Sequence, residues 1–512
     1  MIKRLDRIDS PEIFFGFVAP IGANLDTTLL EFKRFFEFVG YNPIVIKATD
    51  AFGPLSKKLR PKFPLDERPR TFGRFDSYIK YGNQLRAHFE DDALLASISC
   101  TKIMRARTRS VQSDASKPER NVYLIHQFKR KEEVALLRSV YGRAFFQVSI
   151  YSRRGARVDH LARQFAHTDN NANHNQYRAC AESIVQTDES EAGVGHGQEV
   201  SAIFHNADVV INADDGSDTI RDQVVRFCNL LFGSNKISPT KMEYGMFVAK
   251  AAALRTLDLS RQVGAAIFTR AGEIISMGSN EVPKAGGGTY WTDDDNDLDD
   301  RDYVRGGDAN ERIKHERLSE ILRIIGVEDL KSYIERDDIK KSQIMDALEF
   351  GRIIHAEMSA ISDAARRGLS LKGATLFTTT FPCHMCAKHI IAAGVERVVF
   401  LEPYPKSLTS DLHSDAVRIE GADRGKYESF PAVKFDHFHG ISPRRYLELF
   451  SRTKRKNGSH DFVEWNLDNS PRPIVDLKFP FYLHLEEAVF ATVNAYLETL
   501  QMTVEELDTG GE

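Results

Sequence analysis

Cysteine is scarce in this chain of 512 residues: there are five, at positions 100, 180, 228, 383 and 386, and only the last two lie close together. An odd, scattered set is not a disulfide framework, so a reducing compartment is expected. Long apolar runs are also missing. The longest near the N-terminus, Ile13 to Leu25, is broken by Pro20 and follows Asp6, Asp9 and Glu12, which is unlike a signal peptide. Nothing approaches the roughly 20 apolar residues of a membrane-crossing helix, so a cytoplasmic protein without a membrane partner is expected. Charge of one sign is absent as well: 69 Lys and Arg against 73 Asp and Glu leave −4. That balance gives no chain-wide attraction for nucleic acid, so any anion site must be local.

What is present is material for several cores. Hydrophobic residues make up 42% and charged residues 28% of the chain, and the length suits about three domains or two large ones. The run IFFGFVA (13–19) reads as a buried strand, PIGANLD as a turn, and TTLLEFKRFFEFVG as a helix. With the strand NPIVIKA (42–48) this makes a βαβ unit, the element of parallel sheets. Further strands are expected at 122–128, 144–152 and 207–213. Between Thr101 and His160 stand 14 Lys or Arg against 5 Asp or Glu, which is either a solvated face or a phosphate-facing side.

The pattern changes near residue 240. A helix (KMEYGMFVAKAAALRTLDLS) leads into the strands QVGAAIFTR and EIISMGSN. After a glycine-rich turn, seven Asp fall between 293 and 302, a composition that cannot form a core and reads as a linker or lid. A helical insert follows to about residue 350. Domains are therefore expected at 1–238 and 239–512, the second carrying an acidic insert (285–350) and a C-terminal extension.

The chemistry-bearing residues lie beyond the insert. His355-Ala356-Glu357 opens one helical pattern, ATLFTTT is a strand, and Pro382-Cys383-His384-Met385-Cys386 opens another helix. Cysteines three apart at a helix start share one turn, where free amides and the helix dipole favour thiolates. His355, Cys383 and Cys386 make three metal ligands. No second CxxC supplies a fourth, and an open tetrahedral position is the mark of catalytic rather than structural zinc. A zinc-bound water is acidified toward neutrality, and Glu357 stands two residues from the histidine, suited to carry its proton. H-x-E followed by P-C-x-x-C is the pattern of the zinc deaminases.

On these residues the sequence resembles the cytidine deaminase superfamily, and within it the deoxycytidylate deaminases. Ser260-Arg261-Gln262-Val263-Gly264-Ala265-Ala266-Ile267 and Gly278-Ser279-Asn280-Glu281-Val282-Pro283 are similar to that family's first two strands and G-x-N-x-x-P turn. The resemblance implies that Asn280 contacts the sugar and base of a deoxycytidine nucleotide. Tyr404 and Lys406 leave the sheet at a strand's carboxyl end, where open α/β folds hold ligands. Lys406 and Arg261 are read equally as phosphate contacts or as ordinary exposed cations.

The N-terminal loop resembles a degraded P-loop. Gly16 and Gly22 are one residue too far apart, and with Gly22 as the second glycine, Ala23 and Asn24 replace the lysine and the Mg²⁺-binding hydroxyl. Those four positions are the candidate nucleotide contacts, against a scaffold without ligand. A P-loop-kinase-like parallel-sheet domain followed by a cytidine-deaminase-like α/β/α domain, with EPYPKS and FHGISPRRYLELF further on, resembles the bacterial anti-phage dCTP deaminases. That resemblance implies zinc-dependent deamination of dCTP or dCMP, depletion of the dCTP pool as antiviral defence, Mg²⁺ accompanying the triphosphate, an allosteric nucleotide on the first domain, and a homo-oligomer. The competing expectations are a deaminase acting on RNA or single-stranded DNA, supported only by the basic stretch, and a nucleotide-sensing regulator.

Overall fold

The computed structural model describes residues 7–110, 120–191, 194–294, 296–404, 406–452, 455–463 and 472–508. Its strands are β1 (Ile13–Val18), β2 (Asn42–Lys47), β3 (Asn121–His126), β4 (Phe145–Tyr151), β5 (Val209–Asn212), β6 (Gly264–Phe268), β7 (Ile274–Ser279), β8 (Thr375–Thr380), β9 (Arg397–Glu402), β10 (Val417–Ile419), β11 (Val433–His437) and β12 (Gly440–Ile441). They form two six-stranded sheets in two compact units, one of residues Met1–Pro239 with His439–Glu512, the other Thr240–Phe438. The fold is mixed α/β with two sheets rich in parallel pairs.

In the first unit the order is β12-β5-β4-β1-β3-β2. β1 runs parallel to both β3 and β4, and all six of its residues are buried. A strand covered on both faces needs an unbroken apolar run rather than alternation, and IFFGFV supplies it. Successive side chains serve opposite layers: Phe14 stacks on Tyr141 with ring centroids 3.8 Å apart, and Phe15 meets Phe32 of the helix Leu25–Phe38 at 5.0 Å. Full burial of such rings stabilises by about 1.5–3 kcal/mol each.

The C-terminal extension, expected with the second domain, joins the first unit instead. β12 pairs antiparallel with β5, the Ser442 hydroxyl donates to the Ala207 carbonyl at 2.6 Å, and Arg445 donates to Asp208 at 3.2 Å. The helix Tyr482–Thr499 buries Val493 and Leu497 in a cluster with Leu85, Leu94 and Ile98. Arg107 grips both Glu486 oxygens, at 2.6 and 3.0 Å.

The basic stretch 101–160 is largely spent within the same unit. Lys129 pairs with Asp188, Arg130 with Asp92, Arg138 with Asp208, Arg153 with Asp214, and Arg154 and Arg157 with Glu189. Residues 111–119 of that stretch lie outside the described residues.

In the second unit the order is β10-β11-β9-β8-β6-β7. β6 is antiparallel to β7 and β8, while β8, β9, β11 and β10 run parallel. The helix Lys241–Ala253 begins at a Thr240–Glu243 capping box and packs so closely on β6 that a Cβ at Gly264 would strike its Ala249 and Ala253 backbone. Ala265, one residue on and therefore on the other face, packs in a cluster with Ala356 and Ala360. Helices cover both faces of the sheet. No helix among the described residues is long and apolar enough to cross a membrane.

Candidate active site

Small residues bring the site together. A Cβ on Gly278, near the end of β7, would collide with the Ala356 carbonyl and the Ala360 amide. The helix Ala356–Arg366 answers with fully buried Ala356, Ala360 and Ala364 along its inner stripe. The resulting close approach holds His355, the residue that begins this helix, and Glu357, in its first turn, beside the end of β8. Cys383 begins the helix His384–Ala392 and Cys386 lies in its first turn, as the spacing predicts.

The three expected ligands converge. His355 Nδ1 is 3.4 Å from both the Cys383 and the Cys386 sulfur, and the three ligand atoms lie within 4.8 Å of one another. Zinc–sulfur and zinc–nitrogen bonds of about 2.3 and 2.0 Å at the tetrahedral angle separate N from S by about 3.5 Å. The triangle therefore fits zinc. Its sulfurs are already polarised: Cys383 is held well below the ordinary thiol range, first by the neighbouring Cys386 and then by His355, while Cys386, which shares that proton, is pushed up.

Glu357 is 3% exposed, and burial, reinforced by the charge at Cys383, raises its carboxyl above the usual range. Thr378 on β8 donates to Glu357 Oε1 at 3.2 Å. A buried carboxyl with a raised pKa beside three side chains that could hold a metal is suited to take up and return a proton.

His355, Glu357 and Cys383 line a cleft of about 570 Å³ together with Asn280, Arg261, Tyr404 and Lys406. Asn280 is heavily engaged: its Nδ2 donates to Asp258 and to the Arg261 carbonyl, and its Oδ1 accepts from Val263 N at 2.7 Å. Both amide hydrogens are thus used to hold the 258–263 loop, which leaves one lone pair of Oδ1 for a ligand hydroxyl. Tyr404 lies under the Arg261 guanidinium at 5.6 Å, and Lys406 is paired with Asp346 at 2.6 Å.

Sequence reasoning missed most of the opposite wall. It comes from the insert: Asn310, Lys314 and His315 on the helix Ala309–Ile324, with Lys340 and Asp346 further along. Its only sequence signal is polar residues recurring at helical spacing after Asp308. The acidic segment supplies none of these lining residues. Lys284 pairs with Asp294, Arg301 with Asp299, Arg305 and Arg352 with Asp300, and Arg352 with Asp302, so its carboxylates are largely neutralised by neighbouring cations. Asp295 lies outside the described residues.

The N-terminal candidates do not assemble into a cradle. Gly16 sits inside β1 beneath the Phe145 ring, which a Cβ would penetrate. Gly22 has φ +88° and packs against Arg157. The Ala23 amide is taken by the Pro20 carbonyl at 3.0 Å, and Asn24 caps its own helix by accepting from Thr27 N at 3.2 Å. The Ile21 amide donates to the buried Asp188 carboxylate at 2.7 Å, and Lys129 Nζ lies between that carboxylate (2.5 Å) and the Ala19 carbonyl (3.0 Å). The loop thus already holds an anion and its counter-cation, both from the chain.

Residues 239–402 match the family model described as the cytidine and deoxycytidylate deaminase zinc-binding region. Among curated relatives, a probable deoxycytidylate deaminase of Drosophila melanogaster is 36% identical over 116 residues, 22% of this chain and 56% of that protein. The deoxycytidylate deaminase of Enterobacteria phage T2 is 48% identical over 54 residues, 10% of this chain and 29% of that protein. The chain thus spans from under a third to just over half of these relatives. A solved structure of dCMP deaminase from the cyanophage S-TIM5, in complex with dCMP and dUMP, aligns over 39% of this chain and 98% of its own at 20% identity, with a TM-score of 0.22.

Proposed function

We propose that this protein is a zinc-dependent hydrolytic deaminase of deoxycytidine nucleotides, dCMP or dCTP, releasing ammonia and the deoxyuridine nucleotide. The observation that carries the reading is the His355–Cys383–Cys386 triangle, of which His355 and Cys383 line one cleft together with buried Glu357. Support comes from the family match over 239–402 and from the names of the relatives.

Zinc bound by His355, Cys383 and Cys386 would supply an activated water at neutral pH. Glu357 would act as the proton carrier, accepting the proton that the attacking water gives up, delivering it to the ring nitrogen, and then passing the proton of the newly added hydroxyl to the departing amine. Thr378 bonds one oxygen of the carboxyl, and burial raises its proton affinity. Asn280 orders the 258–263 loop and offers its remaining lone pair to the sugar.

For the first unit the reading is a regulatory domain rather than a phosphoryl-transfer enzyme, because Ala23 and Asn24 stand where a P-loop has its lysine and metal-binding hydroxyl, and the cation at the loop, Lys129, is already paired with Asp188. The domain order, similar to that of the bacterial anti-phage dCTP deaminases, extends the reading to dCTP depletion during infection. The test is ammonia release by the zinc-loaded protein with dCTP, dCMP, CTP, cytidine and a cytosine-containing oligonucleotide supplied separately. Turnover of dCTP or dCMP but not the oligonucleotide is expected; turnover of the oligonucleotide alone would overturn the reading.

A further inference from the structure

The wall of the cleft contributed by the insert has a charge arrangement that the deamination chemistry does not use. Four carboxylates around the cleft are already engaged. Asp258 holds Asn280 and the Ser260 amide, and Asp308 caps the helix Ala309–Ile324 through the Asn310 and Glu311 amides. Glu311 holds Lys314 and Asp346 holds Lys406, each at 2.6 Å. The nitrogen donors are less fully engaged. The His315 ring is 4.0 Å from Glu311, Arg261 meets Glu402 through one nitrogen at 3.4 Å, and Lys340 has no ion-pair partner among the described residues. Arg261 and Lys406 come from the sheet side of the cleft, His315 and Lys340 from the insert.

The insert wall is also held in place. Buried Lys314 donates to the Met345 carbonyl at 2.6 Å, and Asn310 donates to the Ala347 carbonyl at 2.9 Å while accepting from Phe350 N at 3.2 Å. These bonds fasten the helix carrying His315 to the segment carrying Asp346. A nucleoside needs one hydrogen-bonding, partly apolar pocket, and a monophosphate needs one cationic group. Lysine, arginine and histidine donors from two separate elements around one opening suit a longer polyanion.

We propose that the insert reads the length of the phosphate chain. Arg261 and Lys406 take the phosphate nearest the sugar, Asp346 yielding Lys406 to it, and His315 and Lys340 take the distal phosphates, making the triphosphate the favoured ligand. This rests on the deaminase reading for the identity of the base, and it concerns only how the phosphates are recognised.

The test uses the full-length, zinc-loaded protein and its double variant His315→Ala/Lys340→Ala, with dCTP and dCMP compared both by steady-state ammonia release and by calorimetric binding. The expected result is a fall of roughly tenfold or more in the ratio of kcat/KM for dCTP over dCMP, carried by KM, with a parallel loss in the affinity ratio. The variant Arg312→Ala/Arg317→Ala removes two exposed cations of the same helix and is expected to leave the ratio as it was. Equal losses for both nucleotides, no loss for either, or the same shift in the control variant would overturn the proposal. A wild-type protein that binds dCTP and dCMP equally would do so too. A protein that binds dCTP selectively but releases ammonia from no nucleotide would overturn the deaminase reading and leave the binding arm to decide this one.

Discussion

The helices Leu25–Phe38 and His384–Ala392 both begin just past the carboxyl end of a buried strand, where unpaired amides and the helix dipole favour a negative charge. In the first, the chain supplies that charge itself. Asp188 takes the Ile21 amide, Lys129 neutralises Asp188, and Asn24 caps the helix. In the second, the negative charge belongs to Cys383, whose sulfur faces His355 and Cys386 across a gap of metal size. The same backbone device closes one site and builds the other. What decides is whether the side chains beside the helix start satisfy one another or require a further group.

Removing the proposed proton carrier is the strongest way to break this contrast. Glu357→Gln keeps the shape and loses the titrating oxygen, so kcat is expected to fall by about 10²–10⁴-fold with zinc still bound stoichiometrically. Metal analysis alongside ammonia release checks it, and near-normal turnover by the variant would refute the assignment of Glu357.

The next largest effect is expected in the first unit. Asp188→Ala leaves Lys129 buried and unpaired and the Ile21 amide without its acceptor. A loss of about 3–5 kcal/mol is expected, read as a lower denaturant midpoint for that unit. Asp188→Asn retains an acceptor and should lose less. If Asp188→Ala were neutral, the loop would not be held shut by this pair.

Close packing comes third. Gly278→Ala places a methyl against the Ala356 carbonyl and the Ala360 amide. The helix must shift, costing about 1–3 kcal/mol and moving His355 away from the cysteines. Weaker zinc retention than in Gly272→Ala, a turn glycine elsewhere in the unit whose positive φ makes it similarly strained, would separate misplacement of the ligand from general strain.

The metal site also fixes a direction of pH dependence. In the metal-free protein Cys386 is raised well above the ordinary thiol range and His355 is raised by its bond to Cys383, so protons compete with zinc for these ligands. Zinc affinity should therefore fall as pH falls, by about tenfold per pH unit for each proton released. Chelator competition between about pH 6 and 8 measures the slope, and a flat profile would mean that the ligands are already deprotonated.

The convergence of His355, Cys383 and Cys386 beside Glu357 was legible in the sequence because the proposed ligation and proton transfer demand particular residue types at helical spacing. The strands were legible because burial on both faces demands unbroken runs such as IFFGFV. Gly16 misled for the same reason: a glycine inside a strand reads like a loop glycine until Phe145 is seen lying over it. The return of 439–512 to the first unit depends on the two-residue strand Gly440–Ile441 and on partners more than 200 residues away, such as Ser442 with Ala207, and no local pattern announces that. His315 and Lys340 were hidden because lysines and histidines on a polar helix look the same whether they face solvent or a cleft.

The smallest expected effect tests how the closed loop is built. Asn24 caps Leu25–Phe38 through Thr27 N, and Asn24→Ala removes that acceptor at about 1 kcal/mol. Asn24→Asp restores an acceptor and adds a charge that suits the dipole, in the same loop whose Ile21 amide Asp188 already serves. If capping alone governs, Asn24→Asp is at least as stable as the parent. If the loop is saturated with negative charge, it is less stable, and the deficit shrinks as salt screens the repulsion. An external phosphate would meet the same charge at this loop, so the salt dependence of one aspartate measures how far the chain has filled its own anion site.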